Sequence, residues 1–262
     1  MAETLLTVDN LEMRFGGIVA LHSVSFVARK GDITAIIGPN GAGKTTLFNC
    51  ITGMYTPTAG RIAFEGEDLT RLKPFRIARR GIARTFQNLA LFDGLSVFEN
   101  LKMGAYRQGH SGLLEGALLL PRARREEAET ESRVVETLAF LGIAGIAGKR
   151  PSELSYGVQK RVEFARALMQ GARLILLDEP MAGMNQSEKT ELVALIRAIR
   201  ERLGVSFLLV EHDMPVVMGV SDHIVVLDYG RKIAEGLPAE VRENQAVIAA
   251  YLGTEAASEA AA

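Results

Sequence analysis

The stretch Gly38-Pro39-Asn40-Gly41-Ala42-Gly43-Lys44-Thr45 sets three glycines, a lysine and a hydroxyl residue in the order G-x-x-x-x-G-K-[ST]. Each residue type has a physical task. Glycines let the backbone curl until successive N–H groups converge on one anion. If a helix starts at the end of the loop, its unpaired amides and its dipole add to the same attraction. Lys44 then reaches the β- and γ-phosphates, the Thr45 hydroxyl faces Mg²⁺, and Thr46 is a further phosphate contact. The chemistry implied is the binding of a nucleoside triphosphate.

A second group lies far along the chain. Leu174-Ile175-Leu176-Leu177 is an apolar run that ends in Asp178, Glu179 and Pro180. Ligands of a parallel sheet collect at the carboxyl ends of its strands. Asp178 is therefore placed to hold Mg²⁺, directly or through water. Glu179, one residue further, can polarise a water aimed at the γ-phosphate. Pro180 stops the strand.

The surrounding pattern supplies the elements these groups need. Residues 5–9 and 23–28 alternate as strands around a Gly16-Gly17 turn. Residues 32–37 form a β-branched strand running straight into the glycine loop, and the helix after it ends at Gly53. A hairpin is expected around Glu65-Gly66 and a short basic helix over 74–80. Helical spacing covers 96–107, 123–141 and 187–203, and 152–170 begins as a Ser/Gly-containing turn and continues as a helix. Strand character returns at 173–177, 205–210 and 223–228. This alternation predicts an α/β fold, a parallel sheet covered by helices. The expected division is a catalytic core over 5–87 and 163–238, an inserted helical block over 88–162, a C-terminal amphipathic helix over 239–253 and a disordered tail over 254–262.

Charge excludes some classes. The 262 residues carry 30 Lys+Arg against 31 Asp+Glu, a formal net charge of -1, so the basic excess of a nucleic-acid binder is absent. Cys50 is the only cysteine, which precludes an internal disulfide. No run reaches the ~18 apolar residues of a membrane span, and no signal peptide is read at the N-terminus. Any role at a membrane is expected to come from docking onto another protein.

Between the phosphate loop and the acidic strand stands Leu154-Ser155-Tyr156-Gly157, followed by VQKRVEFARALM. This string resembles the LSGGQ signature of ATP-binding-cassette (ABC) ATPases. Gln87 in ARTFQN resembles that family's Q-loop, His212 in LLVEHDM its switch histidine, Phe15 in MRFGG its adenine-stacking aromatic, and Ala182-Gly183-Met184-Asn185 its D-loop. The resemblance implies a P-loop NTPase (RecA-like) sheet with an N-terminal antiparallel β subdomain and an inserted α-helical subdomain. It implies ATP and Mg²⁺ as ligands. Gln87 would join Thr45 and Asp178 at the metal and assist catalysis with Glu179 and His212. Ser155, Tyr156, Gly157 and Asn185 would touch the ATP held by a second cassette, with a helix beginning near Val158 aimed at its γ-phosphate. Two positions depart from the pattern: Val158 replaces the signature glutamine and Asn185 the D-loop acid. Val158 has no side-chain donor, so capping would rest on Ser155 and backbone amides.

The strings RFGGIVAL, ARTFQNLALFDGLSVFENL and LSYG, the ending VIAAYLG and the insertion around 108–125 look like the larger ATPase of bacterial branched-chain amino acid importers. Urea-type importer ATPases and the lipopolysaccharide-exporter ATPase are similar alternatives. The resemblance implies a second ATPase subunit, two transmembrane permeases and, indirectly, a periplasmic substrate-binding protein as partners. It implies no nucleic acid, and a peripheral place on the cytoplasmic face of the inner membrane.

Overall fold

The computed structural model describes residues 3–85, 90–105 and 121–251. Gln87, most of the insertion around 108–125 and the tail beyond Gly253 lie outside the described residues. The chain opens with a long hairpin, β1 (Thr4–Phe15) and β2 (Ile18–Arg29), which continues antiparallel into β4 (Ala59–Phe64) and β5 (Glu67–Asp68). Both strands of the first hairpin run well past the expected 5–9 and 23–28. Asn10 and Ser23 take left-handed backbone angles, φ 46 and 51, and the register shifts beside them. These bulges break the period-two pattern that would have revealed one continuous strand. The β4–β5 turn is Glu65-Gly66, with φ 49 and 81 as a type I′ hairpin requires.

The second sheet has the order β10-β9-β3-β8-β7-β6. Its members are β3 (Ile33–Ile37), β6 (Ile82–Thr85), β7 (Leu174–Asp178), β8 (Ser206–Val210), β9 (His223–Asp228) and β10 (Arg231–Gly236). All neighbours are parallel except β10, which returns antiparallel to β9. The connecting helices are α1 (Lys44–Ile51), α2 (Pro74–Arg79), α3 (Val97–Ala105), α4 (Pro121–Phe140), α5 (Tyr156–Met169), α6 (Gln186–Leu203), α7 (Met214–Val220) and α8 (Pro238–Arg242). A further helix, α9, covers 245–251.

Every residue of β3, β7 and β8 is buried, and alternate residues feed two different cores. Leu174, Leu176 and Leu208 face α1 and the antiparallel sheet through Phe48, Leu6, Phe26 and Phe64. Ile175, Leu177, Phe207 and Leu209 face the helices through Leu101, Val134, Phe164 and Ile196. A third cluster fixes the C-terminus: Val217, Val241 and Val247 pack on Ala35, Ile37, Ile224 and Val226. Helices α3 and α5 meet closely at Gly104, where a β-carbon would come within 2.6 Å of the Arg166 carbonyl oxygen.

The single helix expected over 239–253 is replaced by α8 and α9. The Asn244 side-chain oxygen accepts hydrogen bonds from the amides of Ala246 and Val247, at 2.9 and 3.4 Å, and so starts a new helix. Helix α5 begins at Tyr156, two residues before Val158, with Ser155 at its N-cap position.

Candidate active site

Neighbouring parallel strands deliver the chemistry to one edge. Gly38 follows β3, Glu211 and His212 follow β8, and Asp178 ends β7 with Glu179 next. Thr85 ends β6 two residues before Gln87. The backbone stitches this edge together, because the Glu179 amide donates to the Val210 carbonyl at 2.9 Å.

The loop between β3 and α1 is wound as its sequence demands. Gly38, Gly41 and Gly43 have φ 148, 82 and 100. A β-carbon at Gly38 would lie 2.0 Å from the Leu227 carbonyl oxygen, and one at Gly43 would lie 2.8 Å from that of Ala20. Only glycine fits either place. The β9–β10 turn braces the loop: the Gly230 amide donates to the Ala42 carbonyl at 3.0 Å, and its carbonyl accepts from the His22 amide at 2.7 Å. Helix α1 has no side-chain cap at Gly43, so its first amides are left to an incoming ligand. The Lys44 ammonium donates to the carbonyls of Gly38 and Pro39, at 2.7 and 2.9 Å. Burial lowers its pKa from the usual lysine range, while the carboxylates of Glu179 and Asp178 oppose that shift. Cys50, buried on α1, is no nucleophile, since burial pushes its thiol up to about 12.

Glu179 sits in the left-handed region at φ 45, an uncommon and strained setting for a non-glycine residue. His212 lies beside it, with Nδ1 3.8 Å from the Glu179 carboxylate. Its side chain is 65% exposed and is therefore accessible to a ligand from outside. The first residues after β7 and β8 are held by Glu211, which sequence reasoning missed. This carboxylate is 1% exposed and accepts from the amides of Met181 at 3.0 Å and His212 at 3.1 Å. A glutamate beside a histidine after a strand carries no sequence signal that separates this role from a solvated loop. Arg84 was also missed. It is a buried arginine inside β6 whose guanidinium donates to Asp178 at 2.6 Å.

The other expected site residues are distributed as follows. Phe15, at the end of β1, is half exposed and packs edge-on against Tyr55, with centroids 5.2 Å apart. Ser155 makes no side-chain bond to its own helix. Together with Gly157 and Val158 it lines a cavity of about 510 Å³ shared with Met184 and Glu188, and no residue of the phosphate loop lines it. Asn185 is engaged locally, accepting from the Glu188 amide at 3.0 Å as the cap of α6.

Among the described residues no cluster of three or more His, Cys, Asp or Glu side chains could hold a metal. The site still suits Mg²⁺, which is bound by one or two carboxylates together with phosphate oxygens rather than by an all-protein cage. Here the oxygen donors are the buried Asp178 carboxylate and the exposed Thr45 hydroxyl beside a glycine-lined cradle.

Sequence and structural comparisons identify the family. Residues 21–182 match the family described as ABC transporter, and residues 231–257 match one described as branched-chain amino acid ATP-binding cassette transporter. The chain belongs to the ABC transporter family, as an ATP-binding cassette and ATPase built on the P-loop NTPase fold. It is 43% identical to the high-affinity branched-chain amino acid transport ATP-binding protein BraF of Pseudomonas aeruginosa and 44% identical to LivG of Salmonella typhimurium. Each alignment covers 97% of this chain and 99% of the relative. Among solved structures it resembles a nucleotide-free ATP-binding cassette from an ABC transporter, with TM-score 0.81, 34% identity and coverage of 95% and 98% of the two chains. It also resembles the ADP conformation of an ABC transporter cassette, with TM-score 0.83, 33% identity and coverage of 95% and 99%.

Proposed function

We propose that this chain is the MgATP-hydrolysing subunit of an importer for branched-chain amino acids. The reading is carried by end-to-end similarity to BraF and LivG, whose names give that transport, together with the family match over residues 231–257. In this reading Lys44 and the amides of residues 38–46 hold the triphosphate. The Thr45 hydroxyl, Asp178 and Gln87 would hold Mg²⁺, which offsets the charge on the phosphate oxygens. Glu179 takes the proton of the attacking water, and His212 donates to the γ-phosphate. Phe15 stacks on the adenine.

A second cassette, identical or the smaller partner subunit, completes each site through Ser155, Tyr156 and Gly157, with Asn185 nearby. ATP favours the closed pair only through contacts absent from the open one, and loss of the γ-phosphate removes them. Two permease subunits would take up that motion through the helices α3 to α5, and a periplasmic binding protein would deliver the cargo. Among the described residues no helix is long and apolar enough to cross a membrane. A peripheral place on the cytoplasmic face of the membrane follows from docking to the permeases.

The test is to tag the chain in the organism that encodes it, isolate the membrane complex and reconstitute it in liposomes with its binding protein. ATP-driven, binding-protein-dependent uptake of leucine, isoleucine or valine is expected. Uptake of urea or short amides instead, or transport in the outward direction, would replace this reading with one of the alternative cassette types.

A further inference from the structure

A buried guanidinium ties together three parts of the site. Arg84 lies in β6, three residues before Gln87 in the sequence. One nitrogen donates to Oδ2 of Asp178 at 2.6 Å, and a second donates to Oδ1 of Asn49, also at 2.6 Å. The guanidinium carbon stands 5.6 Å from the centroid of the Phe48 ring. The side chains of Arg84 and Asp178 are only 8% and 12% exposed. Asn49 is on α1, one helical turn beyond Thr45, so both lie on one face of that helix. Arg84 thus connects the helix that carries Thr45, the strand end that carries Asp178 and the strand that leads towards Gln87.

Stability alone does not account for such a pair. A buried ion pair gains little over well-packed apolar side chains of the same volume, because desolvation offsets the attraction. What the pair does supply is geometry. The planar guanidinium, with its fixed nitrogen directions, ties one oxygen of the Asp178 carboxylate to the Asn49 side chain on α1. That carboxylate is the one suited to the cation, and groups that orient a metal-binding carboxylate through hydrogen bonds tune its affinity for the metal.

We propose that Arg84 is a positioning residue for the metal. It holds the Asp178 carboxylate, and through Asn49 the Thr45 helix, in the arrangement that receives Mg²⁺ with the nucleotide. This inference rests on the reading of Asp178 as a metal-facing carboxylate. Arg84 touches neither nucleotide nor cation; it acts through its two partners.

The experiment uses the full chain and a fluorescent, non-hydrolysable ATP analogue, so turnover plays no part. Its affinity is measured in excess EDTA and then across a Mg²⁺ titration, for wild type, Arg84→Met, Arg84→Lys and Asn49→Ala. The Mg²⁺ concentration at half-saturation is expected to rise about 10-fold in Arg84→Met, the scale typical for losing an outer-shell partner of a metal ligand. Arg84→Lys keeps the charge but not the two-armed geometry and is expected to rise in the same direction, as is Asn49→Ala by a smaller factor. Metal-free affinity is expected to stay within about twofold of wild type in all of them, since the phosphate loop is untouched. If Arg84→Met does not fold, the other two variants decide. Unchanged half-saturation in folded Arg84→Lys and Asn49→Ala overturns the proposal. So does an equal loss of metal-free and metal-supported affinity, the mark of a merely structural pair. A wild type indifferent to Mg²⁺ would reject instead the placement of Asp178 at the cation.

Discussion

Glu179 combines a left-handed backbone, φ 45, with a position between Asp178 and Pro180. The strain is held in place by the Glu179 amide bonding to β8 and by Glu211 gripping the next turn through the Met181 amide. That arrangement fixes the backbone from which the Glu179 carboxylate projects. Glu179→Gln keeps the shape and removes the carboxylate proposed as the base. It is expected to lower turnover by about 10²–10³-fold, roughly 3–4 kcal/mol if it resembles loss of one transition-state contact, while nucleotide affinity stays unchanged. Phosphate release and analogue binding measured on one preparation check this; a parallel fall in both would assign Glu179 to binding. At this scale the sequence was most legible where several residue types must recur at fixed spacing. The Gly38–Thr45 string and the Asp178-Glu179 pair are of that kind. Glu211 and Arg84 were not legible, because a lone charged residue beside a strand reads as solvated until its burial is known.

At the scale of elements, Asn185, expected to face the ATP of a second cassette, also holds a local structural bond. It closes a capping box with Glu188, whose carboxylate accepts from the Asn185 amide at 2.9 Å while the Asn185 oxygen accepts from the Glu188 amide. This box starts the 18-residue helix α6. Asn185→Ala is expected to cost about 1 kcal/mol of stability, typical for loss of an N-cap, as read from denaturant midpoints at constant slope. An unchanged midpoint would mean that the cap is not needed. The strands β3, β7, β8 and β9 were visible in the sequence because burial on both faces leaves mostly apolar residues, with polar ones such as Ser206, His223 and Asp178 at the strand ends. The short strand β6 was not, since Arg84 sits in the middle of Ile82–Thr85 and a charged residue there argues against a strand. The edge strand β10 escaped for a related reason: with one neighbour only, RKIAEG carries its charges outward. The break between α8 and α9 depended on Asn244 turning its side chain to two amides, a choice that composition does not reveal.

At the scale of the molecule, the expected site is divided between two surfaces. The phosphate loop, Asp178, Glu179 and His212 converge at the carboxyl ends of the parallel strands. Ser155 and Gly157 stand at the start of α5 and line a separate cavity with α6. If Ser155 and Gly157 act on a nucleotide, a second chain must bring its phosphate loop to them. ATP is therefore expected to pair the chains when hydrolysis is blocked: Glu179→Gln should sediment as a dimer with MgATP and as a monomer with MgADP. Gly157 makes the decisive control. A β-carbon there meets nothing nearer than Glu188, at 3.7 Å, and the residue has no left-handed backbone requirement, so Gly157→Val should leave the fold of one chain intact. In the Glu179→Gln background that substitution should abolish the ATP-dependent dimer while leaving nucleotide binding to the monomer unchanged. A dimer that forms equally well with valine at this position would place the subunit contact elsewhere and leave the start of α5 without a role in holding ATP.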